Sequence, residues 1–170
     1  MALESRWVRF GEGGRRTGYL SVQARAETPL PAVVVVQEAW GVDAHIEDVT
    51  RRFANAGYAA LAPDVYAPEG ERRPALTPAR LAETQAFMNG LPPAAWTDPS
   101  VREAELAKRP EAERARIGES YGVIMAGVRD LAPFVPILLD ATRWLREEHE
   151  ATRGQKIGSV GFCLGGGLSA

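Results

Sequence analysis

Cysteine and histidine are scarce in this chain. Among 170 residues there is one cysteine, Cys163, and two histidines, His45 and His149. A lone cysteine forms no internal disulfide, which fits a reducing compartment. Two histidines and one distant cysteine make no metal-ligand cluster, so no metal is expected. Strong charge of one sign is also missing. A net charge of −2 gives no electrostatic case for nucleic acid or an anionic membrane as partner. No apolar run approaches the length of a membrane span, and the N-terminal MALESRWVRFGEGGRR lacks a signal peptide's apolar core. The expectation is a soluble cytoplasmic protein. What remains is ordinary globular material: 45% hydrophobic and 25% charged residues argue against extended disorder. The length suits one domain with a sizeable core.

RWVRF and TGYLSVQAR, separated by the glycine-rich GEGGRR, read as an antiparallel hairpin. ETPLP then breaks the chain. AVVVVQ, Ala32 to Gln37, is too short for a helix and rich in β-branching, which favours a strand buried on both faces, as in a parallel sheet. Beyond it Val42, Ile46, Val49 and Phe53 form one helical stripe, with Asp43 as N-cap and Gly57 as the C-terminal stop. Tyr58 to Pro63 reads as a second buried strand. Strand, helix and strand in this order imply a right-handed crossover.

The stretch at about 67–133 is proline-rich and polar. Arg80–Met88 and Val101–Arg116 look helical, and Asp98-Pro99 supplies an N-cap followed by a first-turn proline. This reads as a helical excursion from the sheet. Ile137, Leu138, Ala141, Trp144 and Leu145 then share a helix face, and Lys156–Phe162 makes a third parallel strand leading into Cys163.

Gly161-Phe162-Cys163-Leu164-Gly165 has the spacing of the nucleophile elbow, G-x-S-x-G, with sulfur in place of oxygen. That motif puts the nucleophile on a strained strand-to-helix turn, needs small flanking residues, and aims helix N–H groups at the site. The Leu164 N–H is placed to stabilise an oxyanion. Two other readings stand beside it. Cys163 could be a small buried hydrophobe among tight-packing glycines. Gly165-x-Gly167-x-x-Ala170 also fits a relaxed dinucleotide fingerprint, but that belongs on the first βα turn of its unit. No phosphate-binding G-x-x-x-x-G-K-[ST] occurs, and no cofactor is expected. Glu38 closes the valine strand at the carboxyl edge where α/β sheets bind ligands, although a solvated strand end would be the default reading if Glu38 stood alone. The N–H of Ala39 is placed like a second oxyanion donor.

VVVVQEAWGVDAHIEDVTRRFANAGYAALAPDVYA together with IGSVGFCLGGG resembles the dienelactone hydrolases, which are α/β-hydrolases with a Cys-His-Asp triad. The resemblance runs from the hairpin through Tyr66 and resumes near Asp130. It implies an α/β-hydrolase fold: a mostly parallel sheet with an N-terminal antiparallel hairpin, here truncated just after the nucleophile elbow. It implies that Cys163 is the nucleophile, that Glu38 takes the thiol proton when substrate binds, and that Leu164 and Ala39 supply the backbone oxyanion donors. Members acting on dienelactone carry an arginine shortly after the matching strand end. Pro68 stands there in this chain, with Arg72 and Arg73 near but not aligned, which speaks against dienelactone itself; the expected substrates are esters or lactones.

A triad in this fold runs nucleophile, acid, histidine, yet only LGGGLSA follows Cys163. Of the earlier histidines, His149 reads as solvated at a helix end. His45, in the first turn after Glu38, could pair with Cys163 but suits a surface or capping role better. The expectation is that residues 1–170 are the N-terminal part of a single α/β-hydrolase domain, inactive alone, its third parallel strand at an exposed sheet edge. A second chain carrying the C-terminal half is one way to complete it. The alternative function is an α/β-hydrolase-like binding or regulatory protein without catalysis.

Overall fold

The computed structural model describes residues 2–25 and 29–170. Strands β1 (Leu3–Phe10) and β2 (Arg16–Gln23) form the expected hairpin, closed where Phe10 faces Arg16. The break expected at residues 27–31 falls partly outside the described residues. Strand β3 (Ala32–Val36), helix α1 (Ala44–Asn55) and strand β4 (Ala59–Pro63) follow. Every residue of β3 and β4 is buried, as a run without polar alternation requires. β4 pairs antiparallel with β2 and parallel with β3, so the crossover through α1 joins neighbours.

Helix α1 begins where its sequence says it should. The Asp43 carboxylate accepts the Ile46 N–H at 3.0 Å and so caps the helix. Val42 and Ile46 are buried with Tyr19, Val33, Val35, Ala60 and Ala62, and Val49 and Phe53 flank the cluster. Each valine or isoleucine side chain taken from water there contributes about 1.5–3 kcal/mol. Helix α1 therefore covers the sheet face bearing the odd-numbered residues of β3.

The chain divides into two compact units, Met1–Arg72 with Asp130–Ala170, and Arg73–Arg129. The second holds α2 (Pro78–Asn89), α3 (Pro99–Ala107) and α4 (Glu111–Arg129). The single helix expected over 101–116 is in fact the end-to-start meeting of α3 and α4. Pro110 precedes α4, and a proline ring cannot continue a helix from Lys108 and Arg109. Asp98 caps α3 as expected, accepting the Ser100 N–H at 2.8 Å. Within this unit Arg116 pairs with Glu83, Arg80 pairs with Glu119 at 2.8 Å, and Arg109 lies over the Phe87 ring.

The first unit resumes with α5 (Val135–Arg143), which continues into a π-helical turn at Trp144–Glu148. Ile137, Ala141 and Leu145 are buried, with Leu138 and Trp144 at the margin, so the expected face holds. Helix α5 lies against β3 and β4. Strand β5 (Ile157–Gly161) pairs parallel with β3, and α6 (Leu164–Ser169) follows. The sheet order is β1-β2-β4-β3-β5. β5 is therefore an edge strand, as the sequence implied. This is an α/β fold with parallel β4, β3 and β5 behind an antiparallel hairpin. No single helix among the described residues is long and apolar enough to cross a membrane.

Candidate functional site

Three turns meet the carboxyl edge of the parallel strands. Two of them carry the residues singled out in the sequence. In the β5–α6 turn Cys163 has φ 53° and ψ −116°, and it is the one non-glycine residue with positive φ among those described. An L-residue holds such a conformation only where its surroundings enforce it, at about 1–3 kcal/mol. The flanking glycines supply that enforcement. A methyl group on Gly161 would fall on the Gly165 carbonyl and 2.5 Å from Ser169 Oγ. One on Gly165 would strike the Val36 carbonyl and lie 2.7 Å from the Gln37 carbonyl oxygen. Strand, helix and β3 thus converge too closely for any side chain, which is the steric demand of an elbow. Cys163 is exposed and unpaired. The packing alternative, a small buried hydrophobe, does not describe it.

The second turn runs from Glu38 to Gly41 and closes with a Gly41 N–H bond to the Glu38 carbonyl at 3.2 Å. Register brings the two turns together. Val36 of β3 faces Gly161 of β5, so Glu38 and Cys163 each stand two residues past a paired position on adjacent strands. Neighbouring strands run about 4.8 Å apart. Glu38 is partly buried. The N–H groups of Ala39 and Leu164 take no part in the backbone hydrogen bonds of the two turns, while Gly165 and Gly166 bond back to the Phe162 and Cys163 carbonyls. Leu164 N–H is the first of α6 and so has no partner within the helix.

The third turn, after β4, holds residues the sequence reading passed over. Gln37 is fully buried and accepts the Val65 N–H on Oε1 at 3.2 Å. The Tyr66 hydroxyl donates to the Ala39 carbonyl at 2.9 Å. Burial raises the ionisation of Tyr66 well above the ordinary tyrosine range; Arg72 opposes the rise, and the charges of Asp64 and Cys163 add to it. Tyr66 therefore stays a donor. Its own N–H donates to Asp64 Oδ1 at 3.0 Å, and Arg72 Nε donates to Asp64 Oδ2 at 2.6 Å. Arg72, noted as near the family's arginine position, is thus engaged with Asp64. The available signals were a polar residue ending a valine run and an aromatic one closing PDVY.

The histidines lie apart from this cluster. His45 is exposed in the first turn of α1, and no hydrogen bond joins it to Cys163. His149 is half-buried rather than solvated. Its ring lies 4.7 Å from that of Trp144, and Nδ1 is 3.2 Å from the Thr152 hydroxyl. The cause is the π turn, where the His149 N–H bonds to the Trp144 carbonyl and brings residues five apart onto one face. His149 lies before β5 and Cys163 after it, so the strand separates them along the sheet. Among the described residues, no three or more His, Cys, Asp or Glu side chains gather as a metal site would need.

A protein of Saccharolobus solfataricus named "Putative carboxymethylenebutenolidase" is 30% identical over 158 residues, covering 86% of this chain and 53% of its own. A Methylorubrum extorquens protein of the same name is 56% identical over 43 residues, covering 25% of this chain and 15% of its own. The chain spans about half the length of the first of these relatives, and less of the second. Two solved structures share the fold at 22% identity. The protein m3DLH has a TM-score of 0.54 and covers 99% of this chain and 53% of its own. The dienelactone hydrolase-like promiscuous phosphotriesterase P91 from metagenomic libraries has a TM-score of 0.51 with the same coverage. The model of the dienelactone hydrolase family matches residues 17–170, and the chain belongs to that family.

Proposed function

We propose that this chain carries the nucleophile half of a cysteine hydrolase acting on carboxylic esters or lactones. The observation that carries the reading is the strained backbone of an exposed Cys163 between two glycines that admit no side chain. Strained backbone at non-glycine residues clusters at functional sites, and the carboxyl edge of the strands is where α/β sheets bind ligands.

The chemistry follows from the three turns. Glu38 accepts the thiol proton, and Cys163 Sγ attacks the acyl carbon. The C=O π pair moves onto oxygen, where the N–H groups of Leu164 and Ala39 hold the oxyanion. Collapse expels the alkoxide and leaves an acyl-thioester on Cys163. Hydrolysis of that thioester needs a base to activate water. The chain covers 53% of the Saccharolobus solfataricus relative's length, and this reading places that base among residues outside it.

A specific outcome is expected with an activated ester. The 170-residue chain given p-nitrophenyl acetate should release one equivalent of p-nitrophenolate, gain one acetyl group on the Cys163 peptide, and then stall. Cys163→Ala should show neither the burst nor the acetyl group, and Glu38→Gln should slow the burst. Acetylation spread over lysines, or a burst that survives Cys163→Ala, would overturn the reading.

A further inference from the structure

Gln37 stands between the elbow and the Glu38–Gly41 turn, and it is fully buried. A carboxamide taken wholly out of water needs partners at both its ends. Its Oε1 accepts the Val65 N–H at 3.2 Å, and its Nε2 donates to the Glu38 carbonyl at 3.5 Å. Together the two bonds fix which way the carboxamide faces. The opposite flip would set donor against donor and acceptor against acceptor. The backbone of Gln37 abuts the elbow, since a methyl group on Gly165 would lie 2.7 Å from its carbonyl oxygen.

What the carboxamide holds is the Glu38 carbonyl. That carbonyl shares its peptide plane with the Ala39 N–H, the second oxyanion donor. In a trans peptide the two groups point in opposite directions, so whatever holds the carbonyl aims the N–H. Two donors hold it: the Gly41 N–H at 3.2 Å and Gln37 Nε2 at 3.5 Å. One bond fixes where the oxygen lies but lets the peptide plane turn about the line of that bond. A second donor, arriving from another direction, removes this freedom. The turn provides the first donor from its own backbone, and among the described residues the Gln37 side chain provides the second.

We propose that Gln37 is a positioning residue for acyl transfer: its carboxamide holds the Glu38–Ala39 peptide so that the Ala39 N–H faces the oxyanion. The proposal rests on the reading of Cys163 as nucleophile and Ala39 as donor. Gln37 touches no reacting atom. With its backbone against Gly165 and its side chain on the Glu38 carbonyl, it ties the turn bearing Ala39 to the elbow bearing Cys163 and Leu164. Its removal should therefore affect reactions that build negative charge on an acyl oxygen, and spare those that do not.

Two reactions of the same thiol separate that effect from damage to the fold. Acylation by p-nitrophenyl acetate passes through an oxyanion, whereas alkylation by iodoacetamide is a direct displacement at carbon and makes none. The fraction of thiolate enters both rates and cancels from their ratio. Gln37→Met keeps the length of the side chain and removes both of its hydrogen bonds. Because the Nε2 bond is long, the ratio of acylation to alkylation should fall by roughly three- to tenfold, short of the 10²–10³ that deleting an oxyanion donor costs. Gln37→Glu is the rescue. Its carboxyl keeps an acceptor for the Val65 N–H, and burial keeps it protonated at about pH 6, where its O–H replaces the Nε2 donor. The ratio there should return to the parent's. On ionisation at higher pH that donor is lost and the ratio should fall, which tests the proposal within a single folded variant. Parallel slowing of both reactions would make Gln37 merely structural and overturn the proposal. An unchanged ratio in Gln37→Met, or a ratio in Gln37→Glu indifferent to that ionisation, would also overturn it while leaving the proposed function standing. A wild-type chain that is alkylated but never acylated would overturn both.

Discussion

Replacing Gly165 by alanine puts one methyl group between α6 and the end of β3. The methyl would strike the Val36 carbonyl and lie 2.7 Å from the Gln37 oxygen and 2.8 Å from the Val36 carbonyl carbon. All three are backbone atoms in paired or buried segments, so none can swing aside as a side chain would. Overpacking of this kind costs typically about 1–3 kcal/mol. Loss of glycine's freedom in the unfolded chain returns about 0.4–1 kcal/mol. The net loss of roughly 1–2 kcal/mol should lower Tm by about 2–8 °C. The next residue supplies the control. A methyl on Gly166 meets only the Gly161 carbonyl oxygen, at an ordinary 3.6 Å, so Gly166→Ala should gain about 0.5–1 kcal/mol. Thermal unfolding of the two variants should therefore move in opposite directions. The displaced elbow should also slow acylation of Cys163 in Gly165→Ala, by up to about 10²-fold. A Gly165→Ala protein as stable as its parent, or a Gly166→Ala protein equally weakened, would refute the argument that close backbone approach builds this turn.

Two further outcomes are expected. Cys163→Gly relieves a strained φ of 53° worth about 1–3 kcal/mol against a glycine cost of about 0.5–1 kcal/mol, so Tm should rise while acylation vanishes; a lower Tm would show that the backbone there is not strained. Burial, with Arg6 nearby, holds the pKa of His149 below the ordinary 6.5. The fold thus prefers the neutral ring, and its contribution is fully present above about pH 6.5 and lost as pH falls. Tm measured from neutral to mildly acid pH should decline in the parent and less steeply in His149→Gln, and identical slopes would exclude His149 as the cause.

Some of this was legible in the sequence because it is local. The Asp43 cap and the stripe from Val42 to Phe53 lie within one short segment, and each residue's role follows from its neighbours. The elbow was legible for a different reason. Its steric demand is written as two glycines at fixed distance from a cysteine, whatever the rest of the sheet does. Glu38 and Ala39 could be placed because β3 is an unbroken apolar run with an obvious end. The brace between the two turns could not. Tyr66 meets Ala39, and Gln37 meets Val65, across 27 and 28 residues, through bonds between side chain and backbone that leave no pattern in sequence. His149 escaped because a π turn shifts the helical period, and α3 ran on past Pro110 because charge spacing on both sides suits a helix equally well.

The sheet order has a consequence for how the molecule assembles. β1, β2, β3 and β4 all lie before residue 64 and pair among themselves, but β3 also takes β5, with Ala32 opposite Ile157, about 125 residues away along the chain. Closing so long a loop is the entropically expensive contact of this topology, and contacts of high sequence separation slow folding. The strand that brings the cysteine to its neighbours is thus the one whose docking depends least on local preference. A substitution that weakens the β3–β5 seam would trap the four N-terminal strands with an open parallel edge, soluble only as long as nothing else adds to it.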